Sequence, residues 1–70
     1  MAAKPATIPD RFLIPEEAAA MLRIKHPQTL AEWRSQGRGP AYIKDGNGYV
    51  RYLESDIFAW ARANRVDPAA

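Results

Sequence analysis

The sequence predicts a small α+β domain that is mostly helical. Two short helical segments lie on either side of a tight turn, two aromatic and β-branched segments flank a glycine-rich turn, and a third helical segment follows. With 70 residues the chain has room for one domain. It has no cysteine and one histidine, which excludes a disulfide framework and leaves too few ligands for a typical zinc site. We therefore expect no metal or other cofactor.

Composition divides the chain into three parts. Residues 1–10 contain Pro5 and Pro9 among alanines and predict a flexible N-terminal tail. Residues 11–66 carry the periodic segments and form the expected domain, and residues 67–70 form a C-terminal tail with Pro68. No segment approaches the roughly 20 apolar residues of a membrane span. We therefore expect a cytoplasmic protein with no membrane partner.

The first helix is predicted from Pro15 to Arg23. Pro15 suits the first helical position, because its missing N–H is not needed there. Ala18, Met21 and Leu22 recur at helical spacing and predict the buried face. The apolar run from Phe12 to Ile14 is either a brief strand or a hydrophobic lead into this helix, and the sequence leaves both open.

The second helix is predicted from Pro27 to Gln36, after the short connection from Ile24 to His26. Leu30 and Trp33 are three residues apart and share its apolar side. Gly37 follows as a left-handed helix terminator. Two short helices joined by a tight turn make a helix-turn-helix.

The last elements are a β-hairpin and a third helix. Residues 41–44 and 49–52 are rich in aromatic and β-branched side chains, and the Asp-Gly-Asn-Gly turn at 45–48 joins them. Ser55 is the expected N-cap of a helix that runs to Arg65. Trp33 and Trp60 lie at helical spacing with apolar neighbours, which favours core packing over a stacking platform for single strands.

A helix-turn-helix followed by a hairpin is a winged helix-turn-helix. The segment from Arg23 to Arg51 holds six basic and two acidic residues, so it carries +4 while the flanks together carry −2. A basic centre of this kind favours a polyanionic partner. The second helix suits the major groove of double-stranded DNA, and the hairpin can reach a neighbouring groove or the backbone.

Candidate DNA-binding residues lie on the second helix, its flanking turns and the hairpin. Gln28 can pair with adenine, and Glu32 can accept a hydrogen bond from cytosine. The full set is Lys25, His26, Gln28, Thr29, Glu32, Arg34, Arg38, Lys44, Asn47 and Arg51.

Several of these residues have an alternative role that the sequence leaves open. Thr29 can make a local cap bond, Glu32 can be a solvated surface residue, and Arg34 can pair with a nearby acid. Asn47 can simply occupy a left-handed turn position, and Arg51 can lie across an aromatic ring.

His26 is not expected to be a catalytic base or a metal ligand. It has no nucleophile or second ligand at a useful spacing, and a phosphate contact or a plain turn position is the favoured interpretation. We therefore expect no enzymatic activity.

The ordered motifs resemble the small excisionase and AlpA-like proteins of the MerR-like winged helix group. The resemblance covers about Phe12 to Arg65, and residues 43–46 resemble the wing of the phage lambda excisionase. It rests on Pro-Glu-Glu-Ala-Ala (15–19), Pro-Gln-Thr-Leu (27–30), Trp-Arg (33–34), Gly-Arg-Gly-Pro (37–40), Tyr-Ile-Lys (42–44), Val-Arg-Tyr (50–52), Ser-Asp-Ile (55–57) and Ala-Trp (59–60).

The resemblance implies a function in DNA recombination. Excisionases, or recombination directionality factors, place the second helix in the major groove and the wing in the adjacent minor groove. They bind several sites cooperatively and bend the DNA, which helps an integrase (a tyrosine recombinase) excise a prophage or other mobile genetic element. The groove-reading positions fall on Gln28 and Glu32, where Glu32 replaces an expected basic residue. AlpA-like relatives instead act in transcription regulation.

The sequence departs from the family pattern before the first helix and in the turn after it. Ile14 stands where a Ser or Thr is usual, Arg23 stands where a Gly is usual, and His26 lengthens the turn by one residue. Phe58 lies off the apolar stripe of the third helix. It is a candidate contact between protomers along DNA, unless Ile8 or Phe12 covers it.

These features predict an excisionase that acts on the bacterial nucleoid. The expected partners are double-stranded DNA, further copies of the chain along the DNA, and a tyrosine recombinase. The alternatives are an AlpA-like transcriptional regulator and a winged-helix module that binds another protein. Salt-sensitive DNA binding separates the first two from the third.

Overall fold

The computed structural model describes residues 10–68 and confirms the winged helix-turn-helix fold. Most of the expected N-terminal tail, and the last two residues of the C-terminal tail, lie outside the described residues. In chain order the elements are β1 (Phe12–Leu13), α1 (Pro15–Met21), α2 (Gln28–Ser35), β2 (Ile43–Lys44), β3 (Val50–Leu53) and α3 (Glu54–Ala63).

Three short antiparallel strands form one sheet in the order β1-β3-β2. The hairpin pairs Ile43 with Arg51, and β1 adds to the other edge of β3 by pairing Leu13 with Tyr52. The run from Phe12 to Ile14 therefore holds a strand, and the sheet gains a third member beyond the expected hairpin. Pairing with β3 makes the strand, since two residues alone do not form one.

The hydrophobic core joins the helix-turn-helix to the central strand. Its fully buried members come from β1, α1, α2, β3 and α3: Leu13, Ala18, Ala19, Leu30, Tyr52 and Ile57. Burying a leucine or isoleucine side chain of this kind contributes about 1.5–3 kcal/mol. The two tryptophans pack against each other at the contact of α2 with α3, with ring centroids 5.2 Å apart. They serve packing, as their helical spacing predicted.

α1 ends two residues earlier than predicted, at Met21. Arg23 has a φ of 60°, which a right-handed helix cannot contain. The chain turns here, and the backbone N–H of Ile24 bonds to the carbonyl of Ala19 at 2.8 Å. At the other end, the Glu17 carboxylate accepts the backbone N–H of Ile14 at 3.0 Å. Glu17 thus satisfies a free donor although Ile14 has no capping side chain.

α2 runs from Gln28 to Ser35, one residue shorter at each end than predicted. Pro27 has helical angles and precedes the helix as its N-cap, and Gln36 follows as its C-cap. Gly37 has a φ of 73°, which confirms the left-handed terminator. The prediction therefore located the helix and its stop signal, and differed only at the fraying ends.

α3 begins at Glu54 and ends at Ala63, and Ser55 is not its N-cap. Leu53 holds that position because β3 leads directly into the helix. The cap comes from Asp10, whose Oδ1 accepts the Ser55 backbone N–H at 3.0 Å and whose Oδ2 accepts the Ser55 hydroxyl. These bonds, the hydroxyl first, lower the pKa of Asp10 from the ordinary 3.8. Asp10 thus contacts the domain, although it was expected in the tail.

Candidate nucleic-acid interface

The start of α2 presents an exposed polar surface. Lys25, His26, Gln28 and Glu32 are exposed, and Thr29 is half-buried. Gln28 and Glu32 are four residues apart, which places both on one face of the helix. Within residues 10–68 no salt bridge involves Glu32, so its carboxylate is solvated and available to a partner.

The alternative role for Thr29, a local cap bond at the start of α2, is wrong. No side chain caps α2 in the part of the chain that the structure describes. The backbone N–H of Thr29 bonds to the carbonyl of His26 at 3.0 Å, so a backbone turn satisfies this donor instead.

Arg34 is held by tyrosines and not by an acid. Its Nη1 donates to the Tyr52 hydroxyl at 2.7 Å, and its guanidinium carbon lies 5.9 Å from the Tyr52 ring centroid and 5.7 Å from that of Tyr42. The expected alternative, an acid pair, is therefore wrong. No carboxylate among residues 10–68 pairs with this arginine, and its position is fixed by a hydrogen bond and two aromatic faces.

Arg38 lies beyond the end of α2 in a similar setting. Its Nε donates to the Gln36 side-chain oxygen at 2.7 Å, and its guanidinium lies 5.4 Å from the Trp33 ring centroid. The side chain is exposed. Like Arg34, it has no carboxylate partner among residues 10–68.

The wing tip is organised by one carboxylate. Asp45 Oδ1 accepts the backbone N–H groups of Asn47 at 2.9 Å and Tyr49 at 3.1 Å, and Oδ2 accepts Arg51 Nη1 at 3.0 Å. The Arg51 hydrogen bond is the main reason that the pKa of Asp45 is lowered from 3.8, and the two backbone donors add to it. The left-handed position is Gly48, with a φ of 86°, so the alternative role of Asn47 is wrong.

Arg51 lies across an aromatic ring, which is the alternative that the sequence left open, and it also forms an ion pair. Its guanidinium lies 5.8 Å from the Tyr49 ring centroid while it pairs with Asp45. Lys44 and Asn47 remain exposed at the hairpin. Among residues 10–68 neither side chain has a partner, so the wing presents the Lys44 ammonium and the Asn47 amide, while Arg51 stabilises the tip.

Phe58 is exposed on the surface of α3. It keeps 56% of its surface accessible, and Phe12 keeps 62%. Phe12 therefore does not cover it. Ile8, the other candidate cover, lies outside the described residues.

The spacing of residues in the sequence located the exposed residues of α2 and the wing, but it missed Tyr42 and Tyr52. The Arg34–Tyr52 pair spans 18 residues, so no local pattern could indicate it. In the part of the chain that the structure describes, no group of three metal-ligating side chains comes together. No helix among residues 10–68 is long and apolar enough to cross a membrane.

Comparison with known proteins identifies the family. The model of a family described as a helix-turn-helix domain, which includes excisionase and AlpA-like proteins, matches residues 12–65. No curated protein and no solved structure matches the chain significantly. The match covers every helix and strand described above, and this chain therefore belongs to the helix-turn-helix domain family and is a DNA-binding helix-turn-helix protein.

Proposed function

We propose that this protein is an excisionase, a non-enzymatic recombination directionality factor. It binds attachment-site DNA cooperatively, bends it, and promotes excision by an integrase. The observation that carries the proposal is the exposed polar surface at the start of α2, in a domain of this family that also has a short hairpin wing.

α2 enters the major groove with its N-terminal half. Gln28 and Glu32 face the base edges, where an amide pairs with adenine and a carboxylate accepts from cytosine. Lys25, His26 and Thr29 contact the groove wall beside them. The wing follows the adjacent minor groove, where Lys44 and Asn47 make the contacts and Arg51 supports the tip.

Cooperative assembly requires a contact between neighbouring protomers. The exposed ring of Phe58 on α3 supplies an apolar surface for this purpose. Burying an exposed aromatic ring of this size against a second copy stabilises the contact between the two protomers. Bent, multi-protomer complexes then provide the platform that a tyrosine recombinase recognises.

A gel-shift titration at about 50 and 200 mM salt tests the proposal. The DNA probes are the attachment site and the upstream promoter that flank the gene of this protein. Stepwise, cooperative and bent complexes at the attachment site support the excisionase. A single complex at the promoter identifies a transcriptional regulator, and no binding to either probe indicates a module that binds another protein.

The Phe58→Ala variant isolates the protomer contact. We expect normal folding and normal binding to one site, but reduced cooperativity on the multi-site probe. Val66→Ala is the matched control, since Val66 is exposed and apolar but lies beyond α3. Unchanged cooperativity in the Phe58 variant removes this surface from the proposal.

A further inference from the structure

A surface pocket at the C-terminal end of α2 carries two positive charges and no negative one. Its volume is about 360 Å³, near the lower limit for small-ligand sites. Arg34 and Arg38 line it together with the Gly37–Ala41 loop and Tyr42. Within the described part of the chain no carboxylate lines this pocket, whereas the wing cation Arg51 is paired with Asp45.

The structure fixes Arg34 at this pocket before any ligand binds. The Tyr52 hydroxyl accepts one of its five N–H groups, which leaves the other donors of the guanidinium free. Tyr52 is itself fully buried in the core, so it cannot move away with the arginine. The Tyr42 hydroxyl has no hydrogen-bond partner within residues 10–68 and adds a further donor.

Two arginine charges offset the negative end of α2 at this pocket, and much of the backbone there is paired. The last carbonyls of the helix accept the backbone N–H groups of Gln36, Gly37 and Arg38, at 2.9–3.1 Å. The carbonyl groups of Glu32, Trp33 and Arg34 are therefore paired within the chain. A planar guanidinium matches the geometry of a phosphate and can bind it through two parallel hydrogen bonds.

We propose that this pocket binds one phosphodiester group of the DNA backbone, and that Tyr52 is the positioning residue for Arg34. The inference rests on the proposed DNA binding. An eight-residue helix is about 12 Å long, and the major groove is about 12 Å wide. A helix whose first turn reads bases therefore has its last turn at the rim of the groove, where the phosphates lie.

The test compares variants on a duplex of random sequence by fluorescence anisotropy over a range of salt concentrations. Arg34→Ala and Arg38→Ala are each expected to lower the salt slope by about one, the value for one lost phosphate contact. Arg62→Ala is the matched control, because Arg62 is an exposed cation on α3 outside the pocket. Circular dichroism of each variant checks that the domain is folded.

Tyr52→Phe tests positioning apart from charge. The variant keeps the core ring and both arginines but loses the hydroxyl that holds Arg34. We scan the attachment-site duplex, on which the protein binds in one register, with single methylphosphonates that remove the charge of one phosphate at a time. In the unmodified protein one position is expected to weaken binding about tenfold. That penalty shrinks in Arg34→Ala and in Tyr52→Phe, and stays in Arg62→Ala.

Titration of the free protein with inorganic phosphate, followed by amide NMR, separates this inference from the proposed function. Shifts confined to Gly37, Gly39 and their neighbours support the pocket even if the duplex does not bind, and then assign it to another phosphoester. Absence of those shifts overturns the inference. Variants of Arg34 and Arg38 that match Arg62→Ala in salt slope overturn it as well, with DNA binding itself intact.

Discussion

The two loops that flank α2 both contain left-handed backbone, but they accommodate it with different residues. Before the helix, Arg23 takes a φ of 60°. After the helix, Gly37 and Gly39 take φ values of 73° and 95°. A residue with a side chain pays about 1–2 kcal/mol for this conformation, while glycine adopts it freely. The loop before α2 is therefore strained, and the loop after α2 is relaxed and closely packed.

The close packing after α2 predicts the largest effect, for Gly39→Ala. A Cβ here would lie 3.0 Å from both Cβ and Cε3 of Trp33, whose ring is held by Trp60. Together with the positive φ, this crowding should lower the free energy of unfolding by about 3 kcal/mol. Urea denaturation measures the change.

Gly46→Ala is the control for that substitution, because Gly46 has ordinary φ and open space around it. We expect it to change stability by less than about 0.5 kcal/mol. If Gly39→Ala were as mild as Gly46→Ala, the loop after α2 would not be closely packed.

Gly37→Ala is expected to have an intermediate effect. No atom lies within 4 Å of the added Cβ, so the left-handed backbone alone opposes the change. The free energy of unfolding should fall by about 1 kcal/mol. Thermal unfolding followed by circular dichroism can resolve this, since about 1 kcal/mol shifts the midpoint by roughly 4–8 °C in a domain of this size. A loss equal to that of Gly39→Ala would contradict the distinction between strain and crowding.

Arg23→Gly should give the smallest effect, and in the opposite direction. Removing the strain stabilises the native turn, while the greater freedom of glycine in the unfolded chain offsets part of the gain. We expect a net stabilisation of about 0.5 kcal/mol. The control is Arg23→Ala, which removes the same guanidinium but keeps the strain. If Arg23→Gly were less stable than Arg23→Ala, the position would be unstrained.

The left-handed positions also show what could be predicted from the sequence. Gly37 follows a helical pattern, so its conformation is a local property and was predicted. Gly48 was within the predicted turn, but the choice between it and Asn47 depends on how Asp45 folds over the tip. Arg23 does not itself indicate a positive φ, although the glycine usual at this position in the family does, and the end of α1 was placed two residues too late.

Long-range partners set the limit for the candidate site. Helical spacing was enough to place Gln28 and Glu32 on one exposed face. It could not place the Tyr52 hydroxyl beside Arg34, 18 residues away. Nor could it place the Asp10 carboxylate beside Ser55, 45 residues away. The pairing of β1 with β3 brings Asp10 to Ser55, and the packing of α2 against the core brings Arg34 to Tyr52.

β3 is held at its two ends by carboxylates, and this has a consequence for acid solutions. Asp45 organises the turn that leads into the strand, and Asp10 caps the helix that leaves it. Both have pKa values below the ordinary 3.8, so unfolding in acid is accompanied by proton uptake. The stabilisation that these two carboxylates contribute is complete above the ordinary pKa of 3.8. It is lost as the pH falls through their lowered pKa values in the folded protein. Acid therefore weakens the contacts at both ends of the central strand, while its pairing and the buried Tyr52 ring do not depend on pH.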